Sequence, residues 1–223
     1  MKNDFNSCQH NLASFILPTL VVLGVFAFAT PRASSAQTPE ITCVAVAADG
    51  NWTDPNTWAI QGSTTPGTCL ESSGDGTGND YPDEADENAI IAGGNIVRID
   101  SDITVGKVEV NNGTLDLVFA NPAPPPSTLT IDKGEGQTGN LIIGSDGTVT
   151  LATEGFGVTI VQNLDIDGDI QNDGQFTGQN GSAVSTVTFT SGGAQEISGN
   201  VESSTSNFIV GNIDVSDSQV ENV

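Results

Sequence analysis

The chain is short of the side chains on which most enzyme and nucleic-acid sites depend. Its 223 residues include one histidine, one tyrosine, two tryptophans and five lysines and arginines. Each shortage excludes something. The one histidine, His10, falls in a stretch read below as a removable leader. Beyond that stretch no Ser-His-Asp or Cys-His nucleophilic site can be assembled, and no histidine remains to bind zinc. Lys2 and Arg32 fall in the same stretch, which leaves Arg98, Lys107 and Lys133. The whole chain sets 28 aspartates and glutamates against five bases, a net charge of −23, and the three remaining bases cannot displace counterions from a nucleic acid, so no nucleic-acid partner is expected. Walker-type and dinucleotide-binding glycine loops are missing too. Gly134-Glu135-Gly136 lacks the strand, helix and third spaced glycine of a Rossmann turn.

What is present begins with an export signal. Lys2 is followed by the apolar run Ile16–Ala29, too short to span a bilayer comfortably, and Ser34-Ser35-Ala36 is the preferred cleavage site over Ala27-Phe28-Ala29. Residues 1–36 are therefore expected to be a signal peptide. The mature chain is expected to be secreted, extracellular or at the cell surface, with no stable membrane span. In such an oxidising setting Cys43 and Cys69 form an even pair and are expected to be disulfide-bonded. The acidic surface also repels itself unless cations screen it.

Three segments follow from composition. Residues 37–86 hold both tryptophans, both remaining cysteines and the tyrosine, and read as an N-terminal cap. Within it, Asp54-Pro55-Asn56 is turn chemistry that brings Trp52 and Trp58 together. They read as a hydrophobic plug or, less favoured, as exposed rings that stack on glycans. The Gly/Asp-rich stretch 74–87 resembles a calcium loop in composition, though not in EF-hand spacing, and makes Asp75, Asp80, Asp83 and Asp86 candidate calcium ligands. The preferred reading is a solvated acidic loop.

From residue 87 to 223 the apolar period is two, broken by turns: Ile96-Val97-Arg98-Ile99, Val108-Glu109-Val110, Leu129-Thr130-Ile131, Leu141-Ile142-Ile143 and several more. Val108–Leu117 and Leu141–Leu151 are one phrase, the second with an insertion. Asn140-Leu141 and Asn163-Leu164 open similar phrases. Repetition of this kind predicts an all-β chain built as a parallel β-helix, a solenoid of stacked rungs, with a β-sandwich as the alternative. Asn121–Pro126 is a stiff proline-rich excursion that no central strand can contain. Asp165, Asp167 and Asp169 share one face of an alternating segment. They are read chiefly as solvated, and secondarily as calcium ligands.

The opening Gly50-Asn51-Trp52…Thr57-Trp58, then Asp86–Ile91 and Gly93–Ile99, resembles the N-terminal region of bacterial secreted surface and adhesin-like proteins built as right-handed parallel β-helices. The beginning is similar to that of the eight-glycine extracellular domain, and Phe189–Gly199 is similar to a later rung of such proteins. The resemblance implies adhesion, matrix or glycan-associated roles, often within a longer chain. The stop at Gln219–Val223 reads as mid-rung, so the chain is expected to be a fragment or to assemble end to end. The expected function is a non-catalytic secreted or cell-surface structural or adhesive protein, stabilised by cations, with calcium the candidate. The alternative is an extracellular polysaccharide-binding or polysaccharide-degrading module, since two carboxylates suffice for glycoside chemistry.

Overall fold

The computed structural model describes residues 41–69, 81–117, 126–134, 138–155, 158–191, 194–199, 208–209, 212–214 and 219–222. The leader stretch, Asp75, Asp80 and residues 121–125 of the proline-rich excursion lie outside the described residues. The first strands are β1 (Ile41–Ala45), β2 (Asp49–Asn51) and β3 (Trp58–Ile60), with one 3-10 turn at Pro55–Thr57. Then come β4 (Glu87–Ala92), β5 (Ile96–Ile99) and β6 (Ile103–Val105), followed by β7 (Lys107–Asn111), β8 (Thr114–Leu117) and β9 (Ser127–Ile131). They are succeeded by β10 (Leu141–Ile143), β11 (Thr148–Thr150), β12 (Ala152–Gly155) and β13 (Val158–Ile166). Next are β14 (Ile170–Asn172), β15 (Gln175–Thr177), β16 (Gln179–Asn180), β17 (Ala183–Val184) and β18 (Thr186–Phe189). The last are β19 (Ala194–Gly199), β20 (Phe208–Ile209), β21 (Asn212–Asp214) and β22 (Gln219–Asn222).

These strands form three large sheets, and the chain visits them in rotation. Sheet A runs β22-β19-β14-β10-β7-β4-β1-β3, sheet B runs β2-β5-β8-β11-β15-β20, and sheet C runs β21-β18-β13-β9-β6. Every neighbouring pair in them is parallel except β1–β3. The sandwich alternative, which needs antiparallel hairpins, therefore does not describe this fold. Hairpins appear only at the side, as β12–β13 and β16–β17.

Register stacks like on like. In sheet A, Ala89, Val108, Leu141, Ile170 and Ile197 are successive partners, and so are Ile91, Val110 and Ile143. In sheet B, Val97, Leu115, Val149 and Phe176 align. In sheet C, Ile103, Leu129, Leu164 and Val187 align. All of these are buried and belong to one core. Parallel strands usually read as continuous apolar runs because both faces are covered. Here they alternate because only one face of each sheet meets the core. The two similar phrases lie in register, Leu141 with Val108 and Val149 with Leu115. The other phrase match is not a layer repeat: Leu141 lies in sheet A and Leu164 in sheet C.

Glycine is required at the A-to-B corners. A Cβ on Gly147 would collide with the Val110 carbonyl, and one on Gly174 with the Gly147 carbonyl. The freed space lets Thr148 N–H donate to Gly113 O at 3.0 Å and Gln175 N–H to Gly147 O at 3.0 Å. Asx side chains, three of them just before a strand and Asn163 within β13, tie neighbouring strands together. Asp102 Oδ1 accepts from Thr128 N (2.8 Å) and Asn140 Oδ1 from Asp169 N (2.9 Å). Asp169 Oδ1 accepts from Glu196 N (2.8 Å) and Asn163 Oδ1 from Thr186 N (3.2 Å).

The N-terminal strands differ. Asp54 caps the 3-10 turn by accepting from Asn56 N at 2.9 Å, which carries the chain from Trp52 round to Trp58. The two indoles pack edge to face with centroids 5.0 Å apart. Trp58 Nε1 donates to Trp52 O and Trp52 Nε1 to Pro82 O, both at 2.7 Å. Cys43 and Cys69 are joined as a disulfide, with Cα atoms 5.5 Å apart. Antiparallel β3 covers the first edge of sheet A through the register Cys43–Ile60.

Candidate functional site

The outer face of sheet A carries a small polar hollow. Thr42, Asn88 and Lys107 are register partners on β1, β4 and β7 and form one rank across the sheet. Ile90 and Glu109 form the next rank, two residues further along β4 and β7. Adjacent strands lie about 4.8 Å apart and alternate residues about 6.6 Å apart, which sets the dimensions of the array. The antiparallel return of β3 brings Gln61 beside Thr42, where Gln61 N–H donates to Thr42 O at 2.8 Å. These six residues line a cavity of about 250 Å³.

The charges in the hollow cancel. Lys107 and Glu109 are two apart on one strand and so point to the same side, where Lys107 Nζ is ion-paired with Glu109 Oε1. Asn111 Nδ2 donates to Glu109 Oε2 at 3.3 Å, which fixes the carboxylate from its other side. Asn88 is only 4% exposed, being flanked by the rest of its rank. The hollow thus offers an ammonium, a carboxylate, the Gln61 carboxamide, a hydroxyl and one apolar side chain over the nearly buried Asn88, all carried by strands or by the residue that follows one.

The sequence-based candidates fall elsewhere. Trp52 and Trp58 are both 0% exposed, so neither ring has a free face for a sugar, and the glycan-stacking reading is corrected to the plug. Indoles need this burial because nothing else at that end of the core has their bulk. Asp83 and Asp86 lie in the loop before β4, while their expected co-ligands Asp75 and Asp80 lie outside the described residues. Asp165, Asp167 and Asp169 alternate outward as expected. Extension keeps them apart, and Asp169 is already engaged with Glu196 N, so the three do not converge on one ion. Among the described residues no group of three potential ligands could hold a metal. Arg98 is ion-paired with Asp49 on the neighbouring strand.

One unusual acid was not singled out from the sequence. Glu87 is 0% exposed, and its Oε2 accepts from Asp83 N (2.9 Å) and Glu84 N (3.3 Å). Its Oε1 is buried without a hydrogen-bond partner. Burial pushes its pKa up to about 7, the charges of Asp83 and Glu84 add to the rise, and the two backbone bonds oppose it. The signal was legible: Glu87 is in phase with the inward-facing Ala89 and Ile91.

No family model, curated protein or solved structure matches the chain. Among the described residues no helix is long and apolar enough to cross a membrane.

Proposed function

We propose that this is a non-catalytic, exported architectural or adhesive protein. On this reading its three parallel sheets are the faces of a right-handed solenoid, closed at its N-terminal end by the tryptophan and disulfide plug. The observation that carries the reading is the rotation of the chain through sheets A, B and C, with aliphatic residues in register from layer to layer. Crossovers between parallel strands of one sheet are almost always right-handed, which supports the hand. The Cys43–Cys69 bridge supports an oxidising destination. Arg98 and Lys107, two of the three bases outside the leader, are each engaged with a carboxylate, which argues against a lyase-type base.

Fractionation of the source cells with N-terminal sequencing tests the export half of this proposal. The expected form begins near Gln37 and is found outside the cytoplasm; a cytoplasmic chain with an intact leader would sink it. Incubation of the purified protein with extracellular polysaccharides tests the other half, and a fall in polymer chain length would show it to be wrong. Screening of the acidic surface predicts that salt raises the unfolding temperature, with calcium adding nothing at matched ionic strength.

A further inference from the structure

We propose that the hollow on the outer face of sheet A is a binding subsite for a single neutral sugar ring. This goes beyond the architectural reading, which would survive the failure of the subsite.

Charge narrows the ligand class first. A chain of net charge −23 repels anions at long range, and Lys107 cannot offset this because Glu109 neutralises it in place. A cation would meet the Lys107 ammonium in the hollow, while unencumbered carboxylates abound elsewhere on the surface. A neutral polar ligand remains.

Hydrogen-bond chemistry narrows the class further. Lys107 only donates, Glu109 only accepts, and the Gln61 amide and the Thr42 hydroxyl do both, while Asn88 forms the nearly buried floor. Vicinal hydroxyls, each donor and acceptor at once, match such a mixed array. Ile90 supplies an apolar contact for the C–H face of a pyranose. The volume of about 250 Å³ lies just below the usual range for small-molecule pockets, which sets the occupant at one ring rather than an oligosaccharide.

The site is also preorganised. Its ranks are fixed by backbone register on β1, β4 and β7, and the Lys107–Glu109 pair with Asn111 behind it is in place before any ligand arrives. With no aromatic ring to stack on, affinity should be weak, with Kd in the millimolar range, as suits a contact that adheres through many copies.

The test is titration of the isotopically labelled full chain with the methyl glycosides of glucose, galactose and mannose, and with glucuronate as the charged counterpart, followed by amide NMR shifts. At least one neutral glycoside should give saturable shifts at Asn88, Lys107 and Glu109. Glucuronate should bind at least tenfold more weakly. The charge-conserving double variant Lys107→Met, Glu109→Gln should lose at least tenfold in affinity while keeping its unfolding midpoint, since both partners of this half-buried pair are replaced together and no unpaired charge is left behind. Three results would each overturn the proposal: no saturable shift with any neutral glycoside, glucuronate binding as tightly as they do, or binding that survives the double variant in a folded chain.

Discussion

The N-terminal strands with their tryptophan plug and the parallel sheets that follow solve one problem, burying a core, in opposite ways. The plug relies on residues used once: two indoles that meet edge to face, each N–H given to a specific carbonyl, and a single disulfide. The sheets rely on residues used repeatedly: small aliphatics in register, glycine at corners and Asx before or within strands. Where parallel strands pair in register with apolar side chains aligned, ordinary side chains suffice. Where they do not, bulk and covalent linkage take their place. Damage to the plug should therefore be concentrated, and damage to the sheets shared among many similar contacts.

The largest expected effect lies in the plug. Trp58→Ala removes a fully buried indole together with its bond to Trp52 O, and should cost about 4 kcal/mol in chemical denaturation. A loss below that of a sheet residue such as Leu141→Ala would erase the contrast. Reduction of Cys43–Cys69, which closes a loop of sequence separation 26, should cost roughly 3 kcal/mol in the loop-entropy model. Redox-dependent shifts of the unfolding midpoint measure it.

The third prediction concerns the seam between the two regions, where Glu87 opens β4 beneath the loop that receives Trp52. Its pKa is raised in the folded state from 4.5 to about 7. Below pH 4.5 both states hold the proton and the contribution is flat. As pH rises from 4.5 to about 7 the unfolded state releases it first, so folding stability falls across that window by on the order of 3 kcal/mol and is level above it. Glu87→Gln should flatten this part of the pH profile of unfolding free energy, and an unchanged slope would show that Glu87 is not its source.

Between sheets A and B, Gly147→Ala places a Cβ against the Val110 carbonyl and should cost about 2 kcal/mol, read from the urea midpoint. Asn140→Ala, which orphans Asp169 N–H, should cost about 1 kcal/mol by the same measurement. If Asn140→Ala exceeded the tryptophan variant, the sheets would prove to be held by a few special bonds after all.

Much of this was legible because alternation is a direct image of one-sided burial. Val108-Glu109-Val110 and Leu129-Thr130-Ile131 are strands in the structure, as their pattern predicts. Shorter strands escaped. Ile170–Asn172 and Gln175–Thr177 each span three residues, and Gln175–Thr177 buries only Phe176, so no run of alternation announces them. The alternation at Val158-Thr159-Ile160 and at Leu164-Asp165-Ile166 belongs to the one strand β13, which pairs with β12 on one stretch and with β9 and β18 on another. The hollow on sheet A was hidden for a different reason. Thr42, Gln61, Asn88 and Lys107 are far apart in sequence and meet only through cross-strand register, which no single segment encodes.

Among the described residues, most Asx bonds between neighbouring strands share a direction. In four the side chain nearer the N-terminus accepts and the backbone nearer the C-terminus donates: Asp102 from Thr128, Asn140 from Asp169, Asn163 from Thr186, Asp169 from Glu196. Asp100 runs the other way, accepting from Thr53 N at 3.1 Å. For a chain made from its N-terminus, the acceptor in each of those four bonds is synthesised before its donor, so the later strand meets a side chain already present to receive it.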